Sequence, residues 1–269
     1  MRMRRLVQLM GIPSDSNSSF MRGAARAPAQ IRAALASTHG NNAAENGLEI
    51  GAELNIQDMG DLAITETPAD DVLISAAVRK AAQAGALPIS MGGDHWVTCP
   101  IVQSLAEVHG PLSILHIDAH PDLYDHLDNN RRSHASPFAR ILERGSAKHL
   151  VQIGIRTVNR HQREQAHRFG IVEQIAARRF STTNLPVLEG PLYVSIDLDG
   201  IDPSAAPGVS HHEPGGLTVR EVLDALDRQT AWLAGADVVE LNPDRDVDGV
   251  TAVLAAKLVR ELAAMTGAA

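Results

Sequence analysis

Cysteine is almost absent. Cys99 is the only one in 269 residues, which excludes an intrachain disulfide and any zinc site built from thiolates, and fits a reducing compartment. A cytoplasmic protein is therefore expected. No apolar run approaches the roughly 20 residues of a membrane-spanning helix. The start, MRMRRLVQLMGIP, is basic and then apolar, but it lacks the longer apolar region and small-residue cleavage site of a secretory signal, and RRLVQLMGI reads instead as a first strand. Positive charge is also in deficit. The formal net charge of −8 argues against nonspecific binding to nucleic acid or to an anionic membrane and is compatible with a cationic substrate. Internal repeats and low-complexity segments are missing. What remains is ordinary globular composition, 44% hydrophobic with 21 Gly and 14 Pro, at a length that a single domain over residues 1–269 can fill with one large core.

Against that background, three apolar runs end in unusual company. SILHI runs into Asp118-Ala119-His120-Pro121-Asp122, LYVSI into Asp197-Leu198-Asp199, and LPISM into Gly92-Gly93-Asp94-His95. A short apolar run that stops at a Pro- or Gly-broken turn reads as a buried strand meeting a loop. Carboxylates and imidazoles are rarely buried there unless paired or bound to metal. Alternation puts Asp118, His120 and Asp122 on one side of an extended chain. Together the three ends offer six ligands: His95, Asp118, His120, Asp122, Asp197 and Asp199. Six are too many for one tetrahedral zinc with an open position, and suit two metals that share carboxylates.

Taken in order, Arg5 to Ile12 reads as a strand, 13–27 as a loop, and Pro28 to Ala36 as a helix with Pro at its first position. Residues 37–52 form a surface excursion, and Asn55 to Asp61 a short strand at best. A helix over Asp70 to Ala84 precedes the strand to His95, and a helix near Pro100 to Val108 precedes the central strand. After a polar loop over 126–135, Ser136 to Arg144 turns helical, Leu150 to Gly154 is a buried strand and Asn159 to Phe169 a polar helix. IVEQIAARR mixes helix and turn. Thr218 to Glu221 has capping-box spacing before an amphipathic helix. Ala236 to Leu241 is the last strand and Val250 to Met265 the closing helix. Strands alternating with helices predict a three-layer α/β/α protein with a mainly parallel central sheet. In such sheets ligands bind at the carboxyl ends of the strands, so His95, both acidic clusters and Glu240 should share one edge.

Each motif has a plainer reading. His95 alone would be a cap, and Asp197-Leu198-Asp199 an Asx turn. Their joint occurrence favours metal. Asp202, before Pro203, reads as a turn former, His116 as a core or supporting histidine, and Asp125, Asp128, Asn129 and Asn130 as solvated loop. His211 and His212 are further ligand candidates that a two-metal site does not need.

GGDH, DAHPDLYD and SIDLDGIDPSAAPG resemble the three signature segments of the ureohydrolases, the superfamily of arginases and agmatinases. NSSF, SHASPFARI, APGVSHHEPGGLT and VVELNPDRDVDGVTAVLAAKLVRELA look most like the plant-type arginases and their bacterial relatives, so the likeness covers nearly the whole chain. It implies an arginase-like fold and two Mn²⁺ per subunit, one held by His95, Asp118, Asp122 and Asp197, the other by Asp118, His120, Asp197 and Asp199, with Asp118 and Asp197 as bridges. A carboxylate-rich set with few imidazoles favours Mn²⁺ over zinc. Asp122 would steer the nucleophile, Glu240 would pair with a substrate guanidinium, and His134 would carry a proton to the leaving amine. Without the resemblance, Glu240 reads as an acid paired with a neighbour such as Arg245, and His134 as a surface-loop histidine. In the loop 123–134, any of Tyr124, Asn129, Asn130, Arg131, Arg132 and Ser133 could meet a carboxylate at the far end of the substrate, so the expected substrate-binding set is Asn129, Asn130 and Ser133 with His134 and Glu240. The expected activity is hydrolysis of a guanidino group to urea and an amine, with arginine first, then agmatine or another guanidino acid. The resemblance also implies a homo-oligomer, trimer or hexamer. A metal-dependent deacetylase would need fewer ligands and one metal, and an inactive binding protein would be expected to have lost a ligand.

Overall fold

The strands that end in acids lie side by side. A computed structural model describes residues 5–38 and 40–265, and the first four residues of the basic start lie outside the described residues. The strands are β1 Val7–Gly11, β2 Ile56–Asp61, β3 Leu87–Met91, β4 Leu112–Ile117, β5 Ala147–Ile155, β6 Val172–Ala176, β7 Leu192–Asp197 and β8 Leu233–Val239. They form one eight-stranded sheet in the order β2-β1-β3-β8-β7-β4-β5-β6. Every pair is parallel, where the sequence predicted a mainly parallel sheet.

Burial follows position in that order. Every residue of β3, β4, β7 and β8 is buried, because helices cover both faces of the middle of the sheet. Helices α1 Ala27–Leu35, α6 Val219–Asp227 and α7 Val250–Ala264 pack on one side. Helices α2 Asp70–Gln83, α3 Thr98–His109, α4 Pro137–Glu143 and α5 Arg160–Phe169 pack on the other. Local signals set the ends of several helices. Pro stands in the first turn of α1 and α4, and the Asn159 side chain caps α5. Thr218 and Glu221 form the capping box of α6, each side chain accepting from the other's backbone N–H. That helix buries Val222, Leu223, Ala225 and Leu226, and each large apolar side chain so buried contributes about 1.5–3 kcal/mol.

Two elements differ from the sequence reading. Val172–Ala176 is a strand rather than a mixture of helix and turn, followed by a 3-10 turn at Ala177–Arg179. As an edge strand β6 buries only Ile175, so it needs no apolar run. The last strand begins at Leu233, three residues before the expected Ala236, and stops at Val239. Glu240 therefore lies just past its end.

Candidate metal centre

The four central strands β3, β8, β7 and β4 deliver their carboxyl-end residues to one place. After β3, the chain passes Gly93 in close contact with two other segments. Asp94 N donates to Ser14 O at 2.8 Å and Glu240 N donates to Gly93 O at 2.9 Å. A Cβ on Gly93 would fall 1.6 Å from Ser14 O, so only glycine lets the backbones meet. Asp94 accepts from Trp96 N and Asn17 N, capping the turn that begins at His95. The ends of β4 and β7 touch in the same way, since a Cβ on Gly200 would lie 2.7 Å from Asp118 N. The Arg156 guanidinium donates to the carbonyls of Asp199, Gly200 and Glu213, tying the β7 end to the loop beyond it. Asp122 and Glu240 both have left-handed backbones, with φ of 51° and 65°. Such conformations in non-glycine residues cluster at functional sites, where the surroundings hold them in place.

Two nests of ligand atoms result. In the first, His95 Nδ1 stands 3.2 Å from Asp118 Oδ2, 3.1 Å from Asp122 Oδ2 and 3.1 Å from Asp197 Oδ2. This ring nitrogen is buried yet has no hydrogen-bond partner. In the second, His120 Nδ1 stands 3.0 Å from Asp199 Oδ2 and 3.4 Å from Asp118 Oδ1. Asp118 therefore presents one oxygen to each nest. Burial disfavours charge on His95 and His120, but the surrounding carboxylates raise both rings well above the usual imidazole value. Burial pushes Asp199 up to about 6 against the pull of His120, and burial with Asp199 and Asp118 nearby raises Asp197 far more. On Asp118, burial is outweighed by the His116, His120 and His95 rings, which hold it well below the usual range. An orphaned imidazole nitrogen facing three carboxylate oxygens fits a bound cation. Two divalent cations would neutralise the four carboxylates.

Glu240 and His134 stand next to the first nest. Glu240 Oε1 accepts from His95 N at 3.0 Å and lies 2.8 Å from His134 Nδ1. Ser19 N donates to His134 Nε2 at 3.2 Å, and Ser19 Oγ lies 2.9 Å from the same nitrogen. An amide only donates, so Nε2 accepts and the ring proton sits on Nδ1, facing Glu240. Burial disfavours a second proton, while the Glu240 charge favours one strongly enough to bring His134 to about 9. With the Ser19 amide aimed at Nε2, the Nδ1–H ring is the form this geometry holds. Both residues are buried, so neither plainer reading fits: His134 is not on the surface, and Arg245 faces His212 rather than Glu240.

A cavity of about 140 Å³ opens onto this group, lined by Ser19, His120, Asp122, Tyr124, His134, Glu240 and other residues including His211. Four of the six expected ligands, His120, Asp122, Asp197 and Asp199, line it, and the buried His95 and Asp118 stand within 3.4 Å of them in the two nests. Asn129, Asn130 and Ser133 do not line it. Asn130 donates to Asn17 Oδ1, Ser133 Oγ accepts from Ala135 N, and Asn129 sits at a left-handed turn, φ 59°. Part of the loop is pinned, since Asp125 pairs with Arg131 and Arg140 and Arg132 pairs with Asp71 and lies over Trp96, while Asp128 and Asn129 are exposed as expected. Ser19 and His211 went unread as cavity residues. The NSSF segment carries no periodic or charged signal, and from sequence His211 is a spare ligand candidate, although its ring centroid lies 5.3 Å from that of His134. Asp202 holds its turn, accepting from Ser204, Gly215 and Gly216.

A family model described as the arginase family matches residues 5–265. The chain belongs to the arginase family. Among curated relatives of this family, it is 48% identical to "Arginase 1, mitochondrial" of Arabidopsis thaliana, over 95% of this chain and 80% of that protein. It is 33% identical to "Agmatinase, mitochondrial" of Gallus gallus, over 94% of this chain and 78% of that one. The solved structure of arginase from Medicago truncatula superposes with a TM-score of 0.92 at 42% identity, covering 98% of this chain and 88% of that one. The expected cytoplasmic location does not stand. The plant arginases it matches are named mitochondrial, or chloroplastic and mitochondrial. A single cysteine does not distinguish an organelle from the cytoplasm.

Proposed function

We propose that this chain is an arginase, which hydrolyses L-arginine to L-ornithine and urea with two Mn²⁺ per subunit. The observation that carries the reading is the paired nest of four carboxylates and two imidazoles, with Asp118 facing both halves and Glu240 beside them. His95, Asp118, Asp122 and Asp197 would hold one ion, and Asp118, His120, Asp197 and Asp199 the other. When bound, two such ions supply Lewis acidity and a nucleophile from water near neutral pH, which an unreactive guanidinium requires. The chain's own residues do the rest. The Glu240 carboxylate, released from His134, pairs with the planar guanidinium in two parallel hydrogen bonds. Asp122 accepts a hydrogen bond from the attacking water-derived oxygen and aims it at the guanidinium carbon. His134 relays a proton from solvent to the departing amine: it takes up a second proton, the form the Glu240 charge favours, gives that proton to the amine and returns to the neutral ring. Asn130 and Ser133, bonded to Asn17 and Ala135, serve the substrate tail by holding the loop whose Tyr124 and Leu127 line the cavity. The greater identity to a plant arginase than to an agmatinase supports arginine over agmatine. We also propose a homo-oligomer, as the resemblance of the signature segments implies.

The test is urea release from arginine, agmatine, guanidinobutyrate and guanidine, with and without Mn²⁺. Arginine should be cleaved fastest, and chelation should abolish the activity. Faster release from agmatine would overturn the substrate assignment, and full activity in a verified metal-free preparation would overturn the metal assignment.

A further inference from the structure

One row of the sheet below the ligands remains unused by this scheme. His116 of β4 stands in register with Gln152 of β5 on one side and Ser195 of β7 on the other, and Gln152 in turn with Gln174 of β6. His116 precedes Asp118 by two residues on a strand, so both side chains lie on one face. Its Nε2 is 2.8 Å from Asp118 Oδ2. Its Nδ1 is 2.8 Å from Gln152 Nε2. The Phe138 ring packs against it with centroids 4.0 Å apart. Distance alone lets His116, His95 and Asp118 share one cation, since their ligand atoms lie within 4.8 Å of one another.

Hydrogen-bond chemistry decides otherwise. The Pro121 carbonyl, 2.7 Å from Gln152 Nε2, can only accept. That places the Gln152 NH₂ group, and not its oxygen, toward both Pro121 and His116. Gln152 Oε1 is taken by the Gln174 amide at 2.8 Å, which agrees with this orientation. One amide hydrogen goes to Pro121 and the other to His116 Nδ1, so Nδ1 is an acceptor and carries no proton. The ring proton is then on Nε2, where Asp118 Oδ2 accepts it.

We propose, resting on the two-metal reading above, that His116 is a positioning residue: Gln152 holds it as the Nε2–H tautomer, and it fixes the Asp118 carboxylate that faces both nests without itself ligating an ion. The donated hydrogen bond uses one lone pair of Oδ2 and leaves the other directed into the first nest. Supporting partners of this kind orient a ligand, and their loss typically costs about 10–100-fold in metal affinity.

Three measurements test this. Long-range proton–nitrogen spectra of metal-free, ¹⁵N-histidine-labelled protein, with the signal assigned by its absence in His116→Gln, should show the Nε2–H pattern for His116. In Gln152→Glu a carboxylate faces Nδ1, and the Nδ1 signal should become that of a protonated nitrogen. Mn²⁺ affinity should fall about 10–100-fold in His116→Phe and recover to within a few-fold of wild type in His116→Gln, which keeps an N–H donor. Pulsed electron paramagnetic resonance of the Mn²⁺-loaded protein should show the same imidazole nitrogen couplings in wild type and His116→Phe. A wild-type Nδ1–H pattern, a nitrogen coupling lost in His116→Phe, or unchanged affinity in that variant would each overturn the assignment. If His116→Phe or Gln152→Glu fails to fold, the wild-type tautomer and His116→Gln still decide it. Absence of Mn²⁺ uptake by the wild type counts against the metal reading, whereas the tautomer is read without metal and stands or falls separately.

Discussion

At the scale of single residues, Glu240 and His134 divide binding from proton transfer. Glu240→Gln keeps an oxygen to accept from His95 N but loses the charge that faces the substrate cation. Both metals should remain, while substrate binding weakens by about 3 kcal/mol, roughly a hundredfold. His134→Ala leaves the nests intact and should lower kcat by about 10²–10⁴-fold with little change in KM. Steady-state kinetics with metal analysis check both, and a normal kcat in His134→Ala would remove its catalytic role. The protonation of the nests gives a second expectation. The carboxylates around His95 and His120 raise both rings above the usual imidazole value in the metal-free protein, so a metal must displace protons from the nests. Raised values mean that proton competition is strongest at low pH and fades as pH rises through them, so Mn²⁺ affinity should increase with pH beyond neutrality. Calorimetry in buffers of different ionisation enthalpy should show net proton release, and a zero slope would contradict it. The ligands were legible in the sequence because acids beside apolar strands violate the usual rule of burial. Ser19 was not, because its partner His134 lies 115 residues away and a serine in a polar loop violates nothing.

At the scale of elements, the loop after β1 is held against the β3 end through backbone contact at Gly93. Gly93→Ala would drive a Cβ into Ser14 O and displace the segment that presents Ser19 to His134. Overpacking of this kind typically costs about 1–3 kcal/mol. A lower Tm together with reduced kcat is the expected result, and an unchanged Tm would mean that the two segments are not in contact. The middle of the sheet could be read from its continuous apolar runs, since strands buried on both faces show them. The edge could not. VEQIA offers β6 one buried side chain, and no alternation marks it. The far end of β8 was misplaced for a related reason: Leu233-Ala234-Gly235 is too small and irregular a start to signal a strand, although all three residues are buried.

At the scale of the whole molecule, light scattering should give a mass that is three or six times the 28.7 kDa chain. A single species of one chain's mass at micromolar concentration would refute assembly. The order β2-β1-β3-β8-β7-β4-β5-β6 has a consequence for how the protein is made. The two strands synthesised last occupy the middle. While the ribosome is still short of β7, the early strands can pair only as two separate groups, β2-β1-β3 and β4-β5-β6. The place kept for β8 and β7 separates β3 from β4 by three strand spacings, about 14 Å. His95 stands on one bank of that gap, and Asp118 and His120 on the other. The metal centre therefore has no half-built form. It can be completed only when β7 and β8 enter the sheet, and a nascent chain that stalls before β7 lacks Asp197 and Asp199.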